Sequence, residues 1–244
     1  MLTEEEKERY DRQIRIQGFG LEGQKKLKQA KVLIAGVGAL GTVVSTYLGV
    51  AGVGCLRIID RDVVELSNLN RQILLWTGDI GKGKSQSAEE KLRKVNPHIQ
   101  VEAIAETITQ DNVLRLATGC DLILDAVDNY HTRYLLNMVA LERGIPFLHG
   151  GIYGMEGMMT TIIPGQTACL RCIFPEPPPP AINPVLGVIP GVIGCLQALE
   201  AIKYITGIGE LLTNRLLIFD GIDLSFREVK LKRNLECPDC SSFK

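Results

Sequence analysis

The stretch Lys31–Gln72, KVLIAGVGALGTVVSTYLGVAGVGCLRIIDRDVVELSNLNRQ, decides how this chain folds. An apolar run, Val32–Ala35, leads into GxGxxG at Gly36, Gly38 and Gly41, with Ala39 inside the turn. A strand that enters a glycine turn and leaves as a helix gathers free N–H groups and partial positive charge at one point. The glycines let the backbone come close to an anion. A second apolar run, Leu56–Ile59, ends on Asp60, at the spacing of a carboxylate that holds a ribose hydroxyl. The stretch therefore predicts a nucleotide site. GxGxxG alone is a weak signal, because a small-residue turn can serve only to pack a helix on a strand. Here strand, turn, helix, strand and acid follow in order, which favours the nucleotide.

Past Asp60 come Arg61 and Asp62, then Ser67, Asn68, Asn70, Arg71 and Gln72. This dense polar set lies beyond the carboxyl end of a buried strand, where open sheets bind ligands. Helices are expected at Thr3–Arg9, Leu21–Ala30, Thr42–Gly52, Ser85–Val95, Asp111–Ala117 and Thr132–Arg143, the last closed by Gly144. Further strands are expected at Val101–Ile104, Asp121–Ala126 and Pro146–His149. The alternation predicts an α/β, Rossmann-like, mainly parallel sheet with helices on both faces. After Gly150 the pattern changes: Ile152–Pro164 and Leu216–Leu231 read as antiparallel strands that extend the sheet. One helix, about Gly191–Thr206, follows a loop that contains the run Pro177–Pro180.

A chain of 244 residues with 45% hydrophobic content can bury one large core. We expect a single domain over 1–244, with a nucleotide core at about 30–150 and a second part at about 151–244. Lys and Arg number 27 against 28 acidic residues, and aromatics are 5%, which argues against nucleic acid as a partner. The charged N-terminus carries no signal-peptide pattern, and the uncharged span Ala181–Leu199 is too interrupted by Pro and Gly for a membrane helix. The expectation is a cytoplasmic protein. Of seven cysteines, Cys169, Cys172, Cys237 and Cys240 form two CxxC pairs, the spacing of a structural zinc site with no open position. Such an ion would staple the C-terminal tail to the domain. Cys55, Cys120 and Cys195 lie in apolar contexts and are expected to be buried.

With these residues in place, from Arg9-Tyr10-Asp11-Arg12-Gln13 to the last cysteine pair, the chain resembles the ubiquitin-activating-enzyme-like adenylyltransferases of the ThiF/MoeB/HesA group. The resemblance is to the sulfur-carrier type and covers nearly the whole chain. It implies ATP rather than NAD, Mg²⁺, a structural Zn²⁺ at the matching cysteines and a homodimer. The partner it implies is a ubiquitin-like sulfur-carrier protein ending in Gly-Gly, whose carboxylate is joined to AMP. Both reactants are anionic, so the chemistry calls for cations and backbone donors more than a proton shuttle.

By the resemblance, Asp60 binds the ribose, with Asp62 in support. Asn68, Arg71, Gln72 and Lys84 contact the phosphates. Asp128 holds Mg²⁺ beside Asn129, and Arg12 is donated across the dimer to the partner's triphosphate. Each has a plainer alternative: Arg71 pairing with Asp62, Lys84 solvated in a loop with Lys82, Asn129 capping a helix. Many relatives carry a cysteine in the crossover loop, and here Ile173–Gly194 has none. That predicts adenylation without an enzyme–carrier covalent intermediate, the product being released or handed to a separate sulfur donor in molybdopterin or thiamine biosynthesis or a related route. The rivals are a tRNA threonylcarbamoyladenosine dehydratase-like enzyme, a non-catalytic scaffold partner and an NAD-dependent dehydrogenase.

Overall fold

The computed structural model describes residues 1–177 and 184–242. Its helices are α1 (Glu4–Arg9), α2 (Asp11–Ile14), α3 (Gly20–Gln29), α4 (Ala39–Ala51), α5 (Lys84–Val95), α6 (Val113–Ala117), α7 (Tyr130–Arg143), α8 (Leu170–Ile173) and α9 (Val188–Thr206). Its strands are β1 (Lys31–Ala35), β2 (Cys55–Ile59), β3 (Gln100–Ile104), β4 (Leu122–Asp125), β5 (Phe147–Tyr153), β6 (Glu156–Ile162), β7 (Arg215–Asp220) and β8 (Ser225–Lys230). They form one eight-stranded sheet in the order β3-β2-β1-β4-β5-β6-β7-β8. The first five are parallel, and β6, β7 and β8 each join antiparallel. The mixed sheet expected from the sequence is the sheet observed.

Two apolar layers flank it. One joins Leu27, Leu48, Leu92 and Ile193 from α3, α4, α5 and α9 to inward residues of the strands. The other joins Leu116, Leu136 and Val139 from α6 and α7 to the opposite face, and it takes in Cys169, Cys237 and Cys240. Because β1 and β4 are covered on both sides, they read as continuous apolar runs. The helix punctuation works as the residues dictate. Thr3 and Glu6 form a reciprocal capping box at α1, and Gly144 closes α7 in the left-handed conformation.

Five helices, α3, α4, α5, α7 and α9, start earlier than the sequence reading placed them, and three of these shifts have a clear local cause. α4 begins at Ala39 because Gly38 itself takes the cap position. α5 begins at Lys84, so this lysine belongs to a helix rather than a loop. α9 begins at Val188, since a proline in the first turn lacks only a hydrogen bond that no helix makes there. β5 runs on to Tyr153 because it pairs with β6 along its whole length. The run Pro177–Pro180 lies outside the described residues apart from Pro177.

α9 has the length and hydropathy of a membrane span. Its inner stripe nevertheless packs on the sheet and on α4, with Gly194 so close to Val43 that a Cβ would sit 2.8 Å from it. Its outer stripe carries Val188, Cys195 and Leu199 into solvent. Cys195, expected to be buried, is exposed. An apolar pattern that runs round the whole helix does not tell which side faces the core. Cys55 and Cys120 are buried as expected, and burial with the nearby Glu102 pushes the Cys55 thiol up to about 11, so it stays protonated.

Candidate functional site

The three glycines of the turn do different work. Gly36 sits at φ +96°, and a Cβ there would lie 2.6 Å from the Ala126 carbonyl oxygen. A Cβ on Gly41 would lie 2.0 Å from the Gly36 carbonyl oxygen, so only glycine lets α4 seat on the turn. Gly38 is different: the nearest atom to its Cβ position is Gln72 Nε2, 4.0 Å away. The space over Gly38 and Ala39 is left open, and the N-terminus of α4 has no side-chain cap. Its first N–H groups therefore remain available to an anion.

Asp60 closes one side of this space. Its Oδ2 accepts the Val37 N–H at 2.8 Å and its Oδ1 the Asp62 N–H at 2.9 Å. Each oxygen keeps a second lone pair, so the two ribose hydroxyls could both be received. Burial raises the Asp60 carboxyl, and the two backbone donors and the charge of Lys84 oppose that rise. Asp62 pairs with Lys84 at 3.1 Å, and the Lys84 N–H also binds the Asp62 carbonyl at 2.9 Å. Lys84 is thus buried and held, with neither the solvated loop position nor an Arg71–Asp62 pair in the structure.

The segment Ser67–Gln72 borders the turn. Asn68 is buried, its Oδ1 accepting the Glu65 N–H at 3.0 Å. Ser67 and Asn70 are exposed. Arg71 donates to the Ser67 carbonyl at 2.8 Å and to Asn70 Oδ1 at 3.0 Å. Among the described residues it has no carboxylate partner, so its charge is uncompensated. Gln72 is 4% exposed and its Oε1 has no hydrogen-bond partner. A buried orphan acceptor beside Gly38 fits a site completed by a ligand.

The far side is built by β4. The contact of Gly36 with Ala126 and Val127 brings Asp128 to the same rim, where it is exposed. An exposed carboxylate at that place can hold a divalent cation against phosphates. Asn129 caps α7, its Oδ1 accepting the Thr132 N–H at 2.9 Å, so the plainer reading of this residue is realised. Beneath the rim lies a set the sequence reading did not assign. His149 Nδ1 is 2.6 Å from Asp125 Oδ2, and Arg133 Nε is 3.1 Å from the same oxygen. Arg133 also donates to the Val127 and Gly150 carbonyls. Burial lowers the His149 pKa against the pull of Asp125, which keeps the ring neutral with Nδ1 as donor. The available signal was a carboxylate at the end of an otherwise apolar strand, LILD.

One residue stands apart. α2, which carries Arg12, is anchored at the opposite end of α4. Gln13 Nε2 donates to the Ala51 carbonyl at 2.8 Å, and Tyr10 OH accepts from Asn96 at 2.8 Å. α4 has 13 residues, which at 1.5 Å per residue separates Arg12 from its own glycine turn by about 20 Å. Arg12 is exposed and cannot reach the rim of its own chain.

The cysteine pairs meet behind α7. Cys169 Sγ is 3.8 Å from Cys172 Sγ and 3.6 Å from Cys237 Sγ, and Cys172 Sγ is 3.5 Å from Cys240 Sγ. All four sulfurs lie within 4.8 Å of one another. Zn–S bonds of about 2.3 Å in a tetrahedron put the sulfurs about 3.8 Å apart, so the set fits Zn²⁺. Four thiolates leave no position for water or substrate. Burial opposes charge on Cys172, but backbone hydrogen bonds from Asn234 and Cys169 and the neighbouring thiols bring its pKa below the ordinary value.

The sequence profile of the ThiF family matches residues 10–239. The chain belongs to the ThiF family. It is 43% identical over 239 residues to the SAMP-activating enzyme E1 of Haloferax volcanii, covering 96% of this chain and 88% of that one. It is 42% identical over 249 residues to the sulfur carrier protein adenylyltransferase of Thermus thermophilus, covering 98% and 92%. Against the adenylyltransferase and sulfurtransferase MOCS3-2 of Zea mays it is 43% identical, and it spans 49% of that longer chain. The crystal structure of E. coli MccB with ATP superposes at a TM-score of 0.83 with 26% identity, covering 95% of this chain and 73% of that one. With these ThiF-family relatives, the chain is an enzyme of the adenylyltransferase class.

Proposed function

We propose that this enzyme uses ATP and Mg²⁺ to adenylate the C-terminal glycine carboxylate of a ubiquitin-like sulfur-carrier protein ending in Gly-Gly. The observation that carries the reading is the convergence on one rim of the open Gly38 turn, Asp60, the uncompensated Arg71 and Asp128, with the orphan Gln72 Oε1 among them. The names of the Haloferax and Thermus relatives support the carrier, and the ATP-bound MccB structure supports the nucleotide.

In this reading the carrier carboxylate attacks the α-phosphorus. The bond from that phosphorus to the bridging oxygen breaks, and pyrophosphate leaves with the electron pair. Asp60 holds the ribose, and the N-terminus of α4 faces the phosphates. Arg71 and Lys84 offset charge on the leaving group, Lys84 being released from Asp62 when ATP enters. Mg²⁺, when bound at Asp128, supplies further neutralisation of phosphate charge. Arg12 serves the site of a second copy, which accounts for its position about 20 Å from its own rim. A homodimer follows, and the exposed stripe Val188, Cys195 and Leu199 of α9, with Tyr47 and Val50 of α4, offers apolar surface for it.

No cysteine lies between Ile173 and Gly194, so the acyl-adenylate passes to a separate sulfur donor. The route is molybdopterin or thiamine biosynthesis or a related sulfur transfer, in the cytoplasm. The test is ATP–pyrophosphate exchange with purified carriers ending in Gly-Gly. Exchange that appears only with one carrier supports the proposal and names the substrate. Absence of exchange with every carrier, in a zinc-loaded folded dimer, points to a scaffold.

A further inference from the structure

Four thiolates repel one another, and the two CxxC turns come from distant parts of the chain. Something must hold the turns at one spacing. Asn137, on α7, is fully buried. Its Oδ1 accepts the Leu170 N–H at 2.9 Å, and its Nδ2 donates to Asp239 Oδ2 at 3.0 Å. Leu170 follows Cys169, and Asp239 precedes Cys240. A single side-chain amide therefore grips both turns. A second link crosses between them directly. Arg171 Nε lies 3.5 Å from Asp239 Oδ2, and the Arg171 guanidinium stacks 3.5 Å from the ring centre of Tyr134, one turn before Asn137.

We propose that Asn137 is the positioning residue of the metal centre, fixing the two CxxC turns at tetrahedral spacing and so setting zinc affinity. The physical reason is pre-organisation. Ligands already held at the right distances need no ordering when the ion binds, and a buried amide whose donor and acceptor are both used keeps one orientation. Asp239, shared between Asn137 and Arg171, ties the C-terminal turn to α7, while Leu170 ties the N-terminal turn. The proposal concerns the metal centre and does not rest on the identity of the substrate.

The test is chelator competition on the full-length, zinc-loaded protein, with released zinc read by a metallochromic indicator and the fold followed by circular dichroism. Asn137→Ala is expected to weaken zinc binding by about 10–100-fold. Asn137→Asp, which sets two carboxylates against each other, is expected to weaken it as well. Asn137→Asp combined with Asp239→Asn restores both hydrogen bonds with the donor and acceptor exchanged, and conserves volume if the alanine variant fails to fold. That pair is expected to recover affinity to within about threefold of the wild type, a double-mutant rescue. An alanine variant with unchanged zinc affinity, or a swapped pair no better than Asn137→Asp alone, would overturn the proposal.

Discussion

At the residue scale two of the turn's three glycines separate stability from binding. A methyl group on Gly41 has nowhere to go, since backbone oxygen lies 2.0 Å from its position. Gly41→Ala should destabilise the fold by about 1–3 kcal/mol, the range for overpacking, as measured by chemical denaturation. Gly38→Ala meets no protein atom closer than 4.0 Å. It should melt like the wild type yet lose ATP binding, because the methyl group occupies the phosphate's place. Asp128→Ala should reduce ATP–pyrophosphate exchange by about 100-fold or more, the scale of losing an electrostatic stabiliser. Its zinc content should stay at one per chain. The strand–turn–helix at Gly36, Gly38 and Gly41 was legible in the sequence because it depends on neighbours a few positions away. The burial of Lys84 and the exposure of Cys195 were not. Whether Lys84 is solvated depends on Asp62, brought to it by the turn of the chain, and whether Cys195 is buried depends on which side of α9 meets α4.

At the scale of the element, α4 is the informative piece. Its N-terminus opens onto the free space over Gly38, and its C-terminus holds the helix that carries Arg12. Gln13 and Gln24 both donate to the last helical carbonyl, Ala51, satisfying an acceptor that a helix end leaves free. The sequence showed Arg9-Tyr10-Asp11-Arg12-Gln13 as a motif but not where it sits. The structure explains the neighbours: Tyr10 and Gln13 are the anchors, and Arg12 is the residue left exposed between them. If Arg12 acts in a second copy, Arg12→Ala and Asp128→Ala subunits should complement each other. In a two-fold dimer formed by random mixing, about a quarter of wild-type exchange activity should return, from mixed dimers with one complete site. Each variant alone should stay inactive, and failure to complement would place Arg12 outside the reaction.

Over the whole molecule, three buried or half-buried carboxylates tie separate elements together. Glu6 pairs with Lys28, Asp79 with Lys91, and Glu102 with both Lys31 and Arg57 across three strands. In each case burial works to raise the carboxyl, and hydrogen bonds from the basic partners outweigh it, so the pKa falls below the ordinary value. A carboxyl lowered in the folded state contributes stability that is complete above its unfolded pKa and lost as pH falls through its folded one. Unfolded values are about 4, so stability to denaturant should hold from neutral pH to about pH 5 and then decline. Asp60 is raised and works in the opposite sense, its protonation favouring the fold as pH falls. A zinc ion on the four cysteines would add a second constraint of the same reach. Chelation should free the tail after β8 for proteolysis while the sheet remains.

The mainly parallel sheet was readable because parallel strands buried on both faces leave apolar runs, and its antiparallel extension after Gly150 was readable because the strand–helix alternation stops there. The position of the cysteine pairs against α7 was not readable, since it is set by Asn137 and Tyr134, which sit in an ordinary helical pattern. The central claim is that ATP lies across the carboxyl rim between the Gly38 turn and Asp128. The most direct measurement is a crystal structure of the protein with a non-hydrolysable ATP analogue and Mg²⁺. The account predicts the ribose on Asp60, the phosphates over Gly38 facing Arg71 and Lys84, and the metal on Asp128. A rim without nucleotide at saturating analogue, or a triphosphate bound elsewhere on the chain, would contradict it.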